Sequence, residues 1–426
     1  MSGSNQRCLI VGASHAGVNC AFALRRHGWE GKIVLYDQAP HLPYHRPPLS
    51  KTKLSTATDG GINLLKPADS YEQAGIQLCL GTFVKSIDRV SKTLCLQDGT
   101  HSSFDKLVLA TGASAFLPPI EGISHPDMAD KIFTLRTLDD LRKIQTAFNA
   151  PLPSNGENKQ KKVAIIGAGF IGLELAATLT QQGASVTVLE RENRVLSRVA
   201  PPELSEIFEQ LHQARGVLIE KNKNVRAIVK NENSLQLQCD DHQNYSADFI
   251  VVGTGIRVNA HLAKAAGLVT EKGIHVNGSC QTSDSNIYAI GDVTQYEHPR
   301  YDRTLRLESV QNAVDQAKVA AAAICGKTVL YDSLPWFWSD QYEVRLQMVG
   351  LSAGYDQLYL RKEKGTDLSV SIWYFKAGQL LAVDAVNNAR AYTLATRLIK
   401  SGQPVDVQKL TDPNIELKPN TIVLQN

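Results

Sequence analysis

The chain has 426 residues, 43% of them hydrophobic, enough to bury a large core and to form about two or three domains. Its formal net charge of +3 is close to balance and argues against nucleic acid as the main ligand. No apolar run approaches the roughly 18 residues of a membrane span, and MSGSNQRCLIVG at the start lacks an apolar stretch of signal-peptide length, so a cytoplasmic protein off the membrane is expected.

Residues 8 to 17, CLIVGASHAG, read as a short buried strand running into a glycine-rich turn and a helix, GVNCAFALRRHG, that ends at Gly28. A second strand, KIVLYD, ends in Asp37. The next segment, LPYHRPPLSK (42 to 51), holds three prolines, each fixing its own φ and restricting the residue before it. Such a stiff loop is either a spacer or a device for holding Lys51 against something. LVLATGA (107 to 113) reads as a buried strand ending in Thr111 and Gly112, and APLPSNGENKQKK (150 to 162) as a solvated loop or linker insertion.

The opening unit then recurs. VAIIGAGFIG (163 to 172) leads into the helix GLELAATLTQQG, and SVTVLE returns to an acid at Glu190. Gly12, Gly17 and Gly28 reappear as Gly167, Gly172 and Gly183, a constant offset of 155. A lone G-x-G-x-x-G is a weak signal. Here each copy follows a strand, opens a helix and has a strand-end acid about 20 residues beyond its last glycine, the setting of a dinucleotide fingerprint. Glycines admit the backbone to a pyrophosphate, the helix N-terminus offers free N–H groups, and the acid accepts from a ribose. Two such units in one chain imply two dinucleotides. The first copy departs from the pattern at Ser14, where the second has Gly169.

IVVGTGIRVN (250 to 259) is a further buried strand, closing in a T-G that ends at Gly255, and NIYAIGDV (286 to 293) is another, closed by Gly291 and Asp292. An aspartate at a strand end suits a hydrogen bond to a sugar alcohol. HPRYDRTLR (298 to 306) carries Arg300, Arg303 and Arg306, either a basic rim for an acidic partner or a solvated loop. Beyond residue 334, LSVSIWYFKAGQLLAVDAVN (368 to 387) reads as a hairpin turning at Ala377 and Gly378. The helical ARAYTLATRLIKSG follows, stopped by Gly402 and Pro404, so a smaller α+β domain is expected there. The seven cysteines (8, 20, 79, 95, 239, 280, 325) form no C-x-x-C and no close pair, which argues against a disulfide framework or a metal site.

The paired fingerprints, with YHRPPLSK (44 to 51), FIGLELAA (170 to 177), LESVQNAVDQA (307 to 317) and PWFWSDQY (335 to 342), resemble the flavoprotein disulfide-reductase superfamily. Within it the chain is most similar to the ferredoxin reductases that serve bacterial oxygenases and P450s. The resemblance implies an α/β fold of two Rossmann-like domains plus the C-terminal α+β domain. Residues 1–120 and 256–333 would form the FAD-binding domain, 121–255 the NAD(P)-binding domain and 334–426 the last. It also implies that Gly12, Ser14, Ala16 and Gly17 hold the FAD pyrophosphate and that Asp37 or Gln38 meets the adenosine ribose. Lys51 would lie at the isoalloxazine, Val84 and Arg136 would border the FAD site, and Asp292 would bind the ribityl chain. Val310 and Trp338 would flank the flavin ring. Gly167, Gly169 and Gly172 would hold NAD(P)H, with Glu190 on its ribose. Thr111, Gly112 and Gly255 complete the cofactor-binding set.

Disulfide reductases place redox-active cysteines beside the flavin, whereas residues 38 to 52 contain none and none of the seven pairs at short spacing. Electrons then leave for an external acceptor. The expected reaction is hydride transfer from NADH to FAD, followed by single-electron delivery to a [2Fe-2S] ferredoxin. Lys51 is the candidate cation for the reduced flavin and Trp338 the aromatic cover at the exit side. Glu174, expected in the first turn of the NAD helix, either pairs with Lys51 or complements the helix dipole. Glu190 favours NADH because a carboxylate repels a 2′-phosphate, while Arg191, Arg194 and Arg198 offset that repulsion. A rubredoxin reductase and a redox-controlled binding protein of the apoptosis-inducing-factor type stand as alternatives. A monomer or a homodimer fits equally.

Overall fold

Each half of the repeat begins with a strand that is exposed at its first residue and buried at the next four, Arg7–Val11 in one copy and Lys162–Ile166 in the other. Strands buried on both faces need cover on both faces, which is the setting of a parallel sheet. The structure is a computed structural model that describes residues 5–51, 62–151, 160–232, 234–365 and 368–424. The core of the 150–162 insertion, residues 152–159, lies outside the described residues. The chain divides into two units, each assembled from three stretches of sequence.

The first unit comprises Met1–His45, Gly61–Ser114 and Arg257–Phe337. Its five-stranded parallel sheet runs in the order Ile287–Ala289, Lys106–Leu109, Arg7–Val11, Lys32–Tyr36, Ile76–Cys79. Arg7–Val11 at the centre leads through the glycine turn into the His15–Arg26 helix, which packs on the Val310–Ile324 helix. An antiparallel sheet of Val84–Asp88, Thr93–Leu96 and His101–Ser103 belongs to the same unit.

The second unit comprises Arg46–Gly60, Ala115–Ile256 and Trp338–Asn426. Its parallel sheet has the order Leu218–Glu220, Ser185–Leu189, Lys162–Ile166, Phe249–Val252, Ile132–Thr134. Ala164, Ile166, Ile250 and Val252 from that sheet share a core with Ile228, Leu235 and Leu237 of the antiparallel Val225–Lys230, Leu235–Cys239, Asn244–Ala247 sheet. The C-terminal stretch forms a five-stranded antiparallel sheet ordered Trp336–Gln341, Val344–Gly350, Gln379–Val386, Val370–Lys376, Gln357–Lys362, against which Ala389–Ser401 packs.

The hairpin expected at Ala377 and Gly378 is present as a two-residue turn. Both residues have positive φ, +48° and +76°, which the twist of a tight hairpin requires. Gly402 ends the last long helix in the left-handed conformation, φ +65°. The fold class is the expected one: two doubly wound α/β sheets and a C-terminal α+β part.

Candidate cofactor sites and the Glu174 cluster

The two glycine turns are built alike. Gly12 has φ +107° and Gly167 +102°, and their amides donate to Tyr36 O and Leu189 O, each at 2.8 Å. A Cβ at Gly17 would lie 1.9 Å from Gly12 O, and one at Gly172 would lie 2.1 Å from Gly167 O. Backbone packing alone therefore demands glycine at both ends of each turn. The strand-end acids close the turns in the same way. Asp37 Oδ2 accepts from Ala13 N–H at 2.6 Å, and Glu190 Oε2 from Ala168 N–H at 2.7 Å. The other oxygen of each accepts from the amide two residues on, Ala39 at 2.8 Å and Glu192 at 2.9 Å. Asp37 is thus fixed by the turn, while its neighbour Gln38 is exposed.

The middle position behaves differently. A Cβ at Gly169 would meet nothing within 4 Å, so the protein's own packing does not require glycine there. That open space lies at the start of the Phe170–Gln181 helix, whose N-cap makes no side-chain hydrogen bond and whose first turn carries no acid. The His15–Arg26 helix has Ser14 at its N-cap with no side-chain capping bond and is equally bare of acid in its first turn. Three other long helices have side-chain caps: Thr137 and Asp140 form a capping box on Leu138–Asn149, Ser309 caps Val310–Ile324 and Asn388 caps Ala389–Ser401. Uncapped N-termini behind a glycine turn keep N–H groups and positive dipole for an anion. Both turns therefore fit a dinucleotide pyrophosphate.

In the first unit, Ala16 and Val84 are buried, the latter opposite Leu96 in the antiparallel sheet. Thr111 Oγ1 donates to Asn259 O at 2.8 Å and Asn259 Nδ2 donates to Thr111 O at 3.0 Å, tying the Thr111–Gly112 turn to the chain near 259. Asp292 is half-buried in the 3₁₀ turn Gly291–Val293, whose Gly291 N–H donates to Gln316 Oε1 at 2.7 Å. Val310 is the first residue of its helix. Arg300, Arg303 and Arg306 are flanked by Glu297, Asp302 and Glu308, so residues 297–308 carry no formal net charge. Arg306 pairs with Glu308 at 2.6 Å.

Of the arginines after Glu190, Arg194 is committed locally, its guanidinium donating to Ala200 O, Ser197 O and Ser205 Oγ at 2.6 to 2.8 Å. Arg191 pairs with Glu192 at 3.0 Å on the surface. A Cβ on Gly255, φ +118°, would lie 3.4 Å from the Arg198 guanidinium.

The Pro-rich loop ends in the 3₁₀ turn Pro47–Ser50, with prolines in its first positions. That turn delivers Lys51 to Glu174, with Nζ to Oε2 at 2.8 Å and a second bond from Nζ to Pro47 O at 3.2 Å. Glu174 is 2% exposed and accepts further hydrogen bonds from Ser50 Oγ and, at 2.7 Å, from Ser339 Oγ. Thr178 Oγ1, one turn along the helix, donates to Ser50 O at 3.0 Å. The expected position of Glu174 needs correction. The helix begins at Phe170, two residues before Gly172, so Glu174 opens the second turn and faces the buried side instead of capping the dipole.

Trp338 and Ser339 are neighbours on one strand, where side chains alternate. Ser339 and Gln341 turn inward and are buried, whereas Trp338 is half-buried. Arg136 lies just before the Leu138–Asn149 helix, its N–H on Asp140 and its carbonyl accepting from Arg46 at 3.2 Å. The structure thus brings Lys51 and Glu174 together. Ser50 and Ser339, which complete the cluster, escaped the sequence reading although both stand inside the quoted motifs YHRPPLSK and PWFWSDQY.

All seven cysteines are free, and burial pushes the Cys8, Cys20 and Cys280 thiols well up and Cys239 to about 11. Those four thiols, enclosed and held protonated, are poorly placed as redox relays. Among the described residues no helix is long and apolar enough to cross a membrane.

Residues 6–317 match the pyridine nucleotide-disulphide oxidoreductase family and residues 336–421 the reductase C-terminal family. The chain is 38% identical to putidaredoxin reductase CamA of Pseudomonas putida, over 97% of this chain and 96% of that one. It is 37% identical to the ferredoxin–NAD(+) reductase component of the anthranilate 1,2-dioxygenase system of Burkholderia cepacia, over 96% and 98%. Among solved structures, the putidaredoxin reductase of a covalent complex with putidaredoxin superposes with TM-score 0.90 at 37% identity, covering 98% of both chains. The ferredoxin reductase for the CYP199A2 system of Rhodopseudomonas palustris gives 0.91 at 37% identity, covering 98% of this chain and all of that one. With two bare helix starts behind paired glycine turns and these full-length likenesses, the chain belongs to the pyridine nucleotide-disulphide oxidoreductase family, in the branch that carries the reductase C-terminal domain.

Proposed function

We infer that the protein is an NADH-dependent ferredoxin reductase, an FAD enzyme that supplies electrons to a [2Fe-2S] ferredoxin of an oxygenase system. When bound, FAD supplies the chemistry of accepting a hydride and releasing electrons singly. The chain's own residues bind, orient and charge-match. In this reading 1–120 and 256–333 carry FAD, 121–255 carries NADH and 334–426 is the C-terminal domain.

Gly12, Ser14, Ala16 and Gly17 offer the first helix N-terminus to the FAD pyrophosphate, with Asp37 at the ribose. Val84, Thr111, Gly112, Arg136, Asp292 and Val310 complete that site. Gly167, Gly169 and Gly172 do the same for NADH, with Glu190 at its ribose and Gly255 alongside. Lys51 is assigned the flavin's cation, held in place by Glu174, and Trp338 the aromatic cover. The observation that carries the reading is the pair of like-built glycine turns, each closed by a strand-end carboxylate and each opening a long helix with no side-chain capping bond and no acid in its first turn. With Glu297, Asp302 and Glu308 balancing Arg300, Arg303 and Arg306 across 297–308, this stretch would orient a partner by individual contacts more than by long-range steering.

The test is NADH-driven reduction of a panel of purified [2Fe-2S] ferredoxins and rubredoxins. At least one [2Fe-2S] ferredoxin should be reduced far faster than dioxygen. Preferential reduction of rubredoxin would reassign the partner, and reduction of none would defeat the proposal.

A further inference from the structure

Beyond Glu174 the buried polar groups continue. Gln341 Nε2 donates to Ser339 Oγ at 3.2 Å, and His212 Nε2 meets Gln341 Oε1 at 2.8 Å. Ser339 and His212 are 0% exposed and Gln341 1%, so three polar side chains form a line leading from the Pro202–Gln213 helix to Glu174. An amide nitrogen only donates, so Gln341 must present its oxygen to His212, and His212 must carry its proton on Nε2. Its Nδ1 then faces the Tyr342 hydroxyl at 3.4 Å. Every donor in the series points toward Glu174: His212 to Gln341, Gln341 to Ser339, Ser339 to Oε1.

Three fully buried polar residues cost desolvation that apolar packing would avoid, and bonds aligned head to tail polarise one another. A primary amide in the middle makes the line a poor path for protons. What it can do is fix a carboxylate. Lys51 and Ser50 hold one oxygen of Glu174, and Ser339, set by Gln341 and His212, holds the other. Two-sided capture leaves the carboxylate one orientation.

We propose that Ser339, Gln341 and His212 are positioning residues for NADH-dependent flavin reduction, which lock the Glu174 carboxylate so that Lys51 is held in its working place. The proposal rests on the role assigned above to Lys51 and Glu174. It acts through a 341-to-212 link that neither glycine turn contains.

The experiment uses the FAD-loaded enzyme with Ser339→Ala, His212→Leu and His212→Gln, where glutamine restores an N–H near Nε2. Glu174→Gln serves as the reference. Two quantities are measured: the stopped-flow rate of flavin reduction by NADH, and acetylation of Lys51 by trace acetic anhydride relative to surface lysines. Loss of one hydrogen bond in the line should slow reduction about threefold to tenfold with unchanged NADH affinity. Lys51 acetylation should rise severalfold in Ser339→Ala and His212→Leu and return toward wild type in His212→Gln. Thermal midpoints identify any variant that is merely unfolded, and Ser339→Ala, which removes one oxygen, decides if His212→Leu does not fold. If Glu174→Gln frees Lys51 but Ser339→Ala and His212→Gln match wild type and His212→Leu respectively, this proposal fails alone. If Glu174→Gln leaves Lys51 labelling unchanged, the Lys51–Glu174 assignment fails first and takes this proposal with it.

Discussion

Lys51 earns its place by geometry more than by charge alone. Its ammonium meets a carboxylate that is 2% exposed while its own side chain is 18% exposed, so one end of the pair is buried and the other half-buried. The prolines before it set the approach. Pro47–Ser50 closes a single 3₁₀ turn, and the Pro47 carbonyl accepts a second bond from the same ammonium. A flexible tether would have to lose about 1–2 kcal/mol of backbone entropy per residue to do the same. Lys51→Ala should therefore slow NADH-driven flavin reduction by about tenfold or more, up to the roughly 10²–10³ seen when one preorganised donor is removed. FAD should stay bound, since neither glycine turn involves Lys51. Stopped-flow absorbance of the yellow enzyme decides it: an unchanged reduction rate would remove Lys51 from the chemistry.

At the scale of the element, the glycine turn separates two duties that a sequence motif merges. Gly172→Ala would push a methyl to 2.1 Å from the Gly167 carbonyl, a rigid backbone atom, so the turn must deform. A loss of about 1–3 kcal/mol in stability is expected, together with weaker NADH binding. Gly169→Ala meets open space, so the fold should hold while the methyl intrudes on the pyrophosphate. Its signature is a raised KM for NADH, roughly tenfold for each 1.4 kcal/mol of binding lost, at an unchanged thermal midpoint. A drop in midpoint equal to that of Gly172→Ala would show that Gly169 is structural after all.

The first turn already carries Ser14 at the corresponding place, as open space there would allow. These turns were legible because strand, glycine, helix and acid are all local in sequence and recur at one offset. The 377–378 hairpin and the Gly402 stop were legible for the same reason. The partners of Glu174 were not. Ser50 and Ser339 come from separated segments, and only the packing of a loop and a C-terminal strand on the helix brings them to one carboxylate, with His212 reaching it through Gln341. The turn of Glu174 is not legible from the motif, because the helix starts at Phe170 and not at the last glycine, Gly172.

At the scale of the whole molecule, one buried group ties folding to pH. Asp384 sits within the C-terminal sheet, 2% exposed, and accepts a hydrogen bond from Tyr374 on the neighbouring strand. Burial pushes its carboxyl up to about 7, and the Tyr374 bond offsets only part of that. The same carboxyl in the unfolded chain titrates near 3.8. Between those values the folded protein holds a proton that the unfolded chain has released, so the contribution of Asp384 to stability is greatest below 3.8. It falls as pH rises toward 7 and is constant above. A tenfold change in proton affinity corresponds to about 1.4 kcal/mol, so the total is on the order of a few kcal/mol. Asparagine keeps an oxygen for the Tyr374 hydroxyl and carries no charge to desolvate. Asp384→Asn should therefore raise the thermal midpoint clearly at about pH 8 and far less at about pH 4.5, because wild type loses the advantage of its neutral carboxyl only on the alkaline side. Scanning calorimetry of both proteins across that range is the check. A midpoint difference independent of pH would mean that Asp384 is ionised throughout, with the sheet bearing its charge by other means.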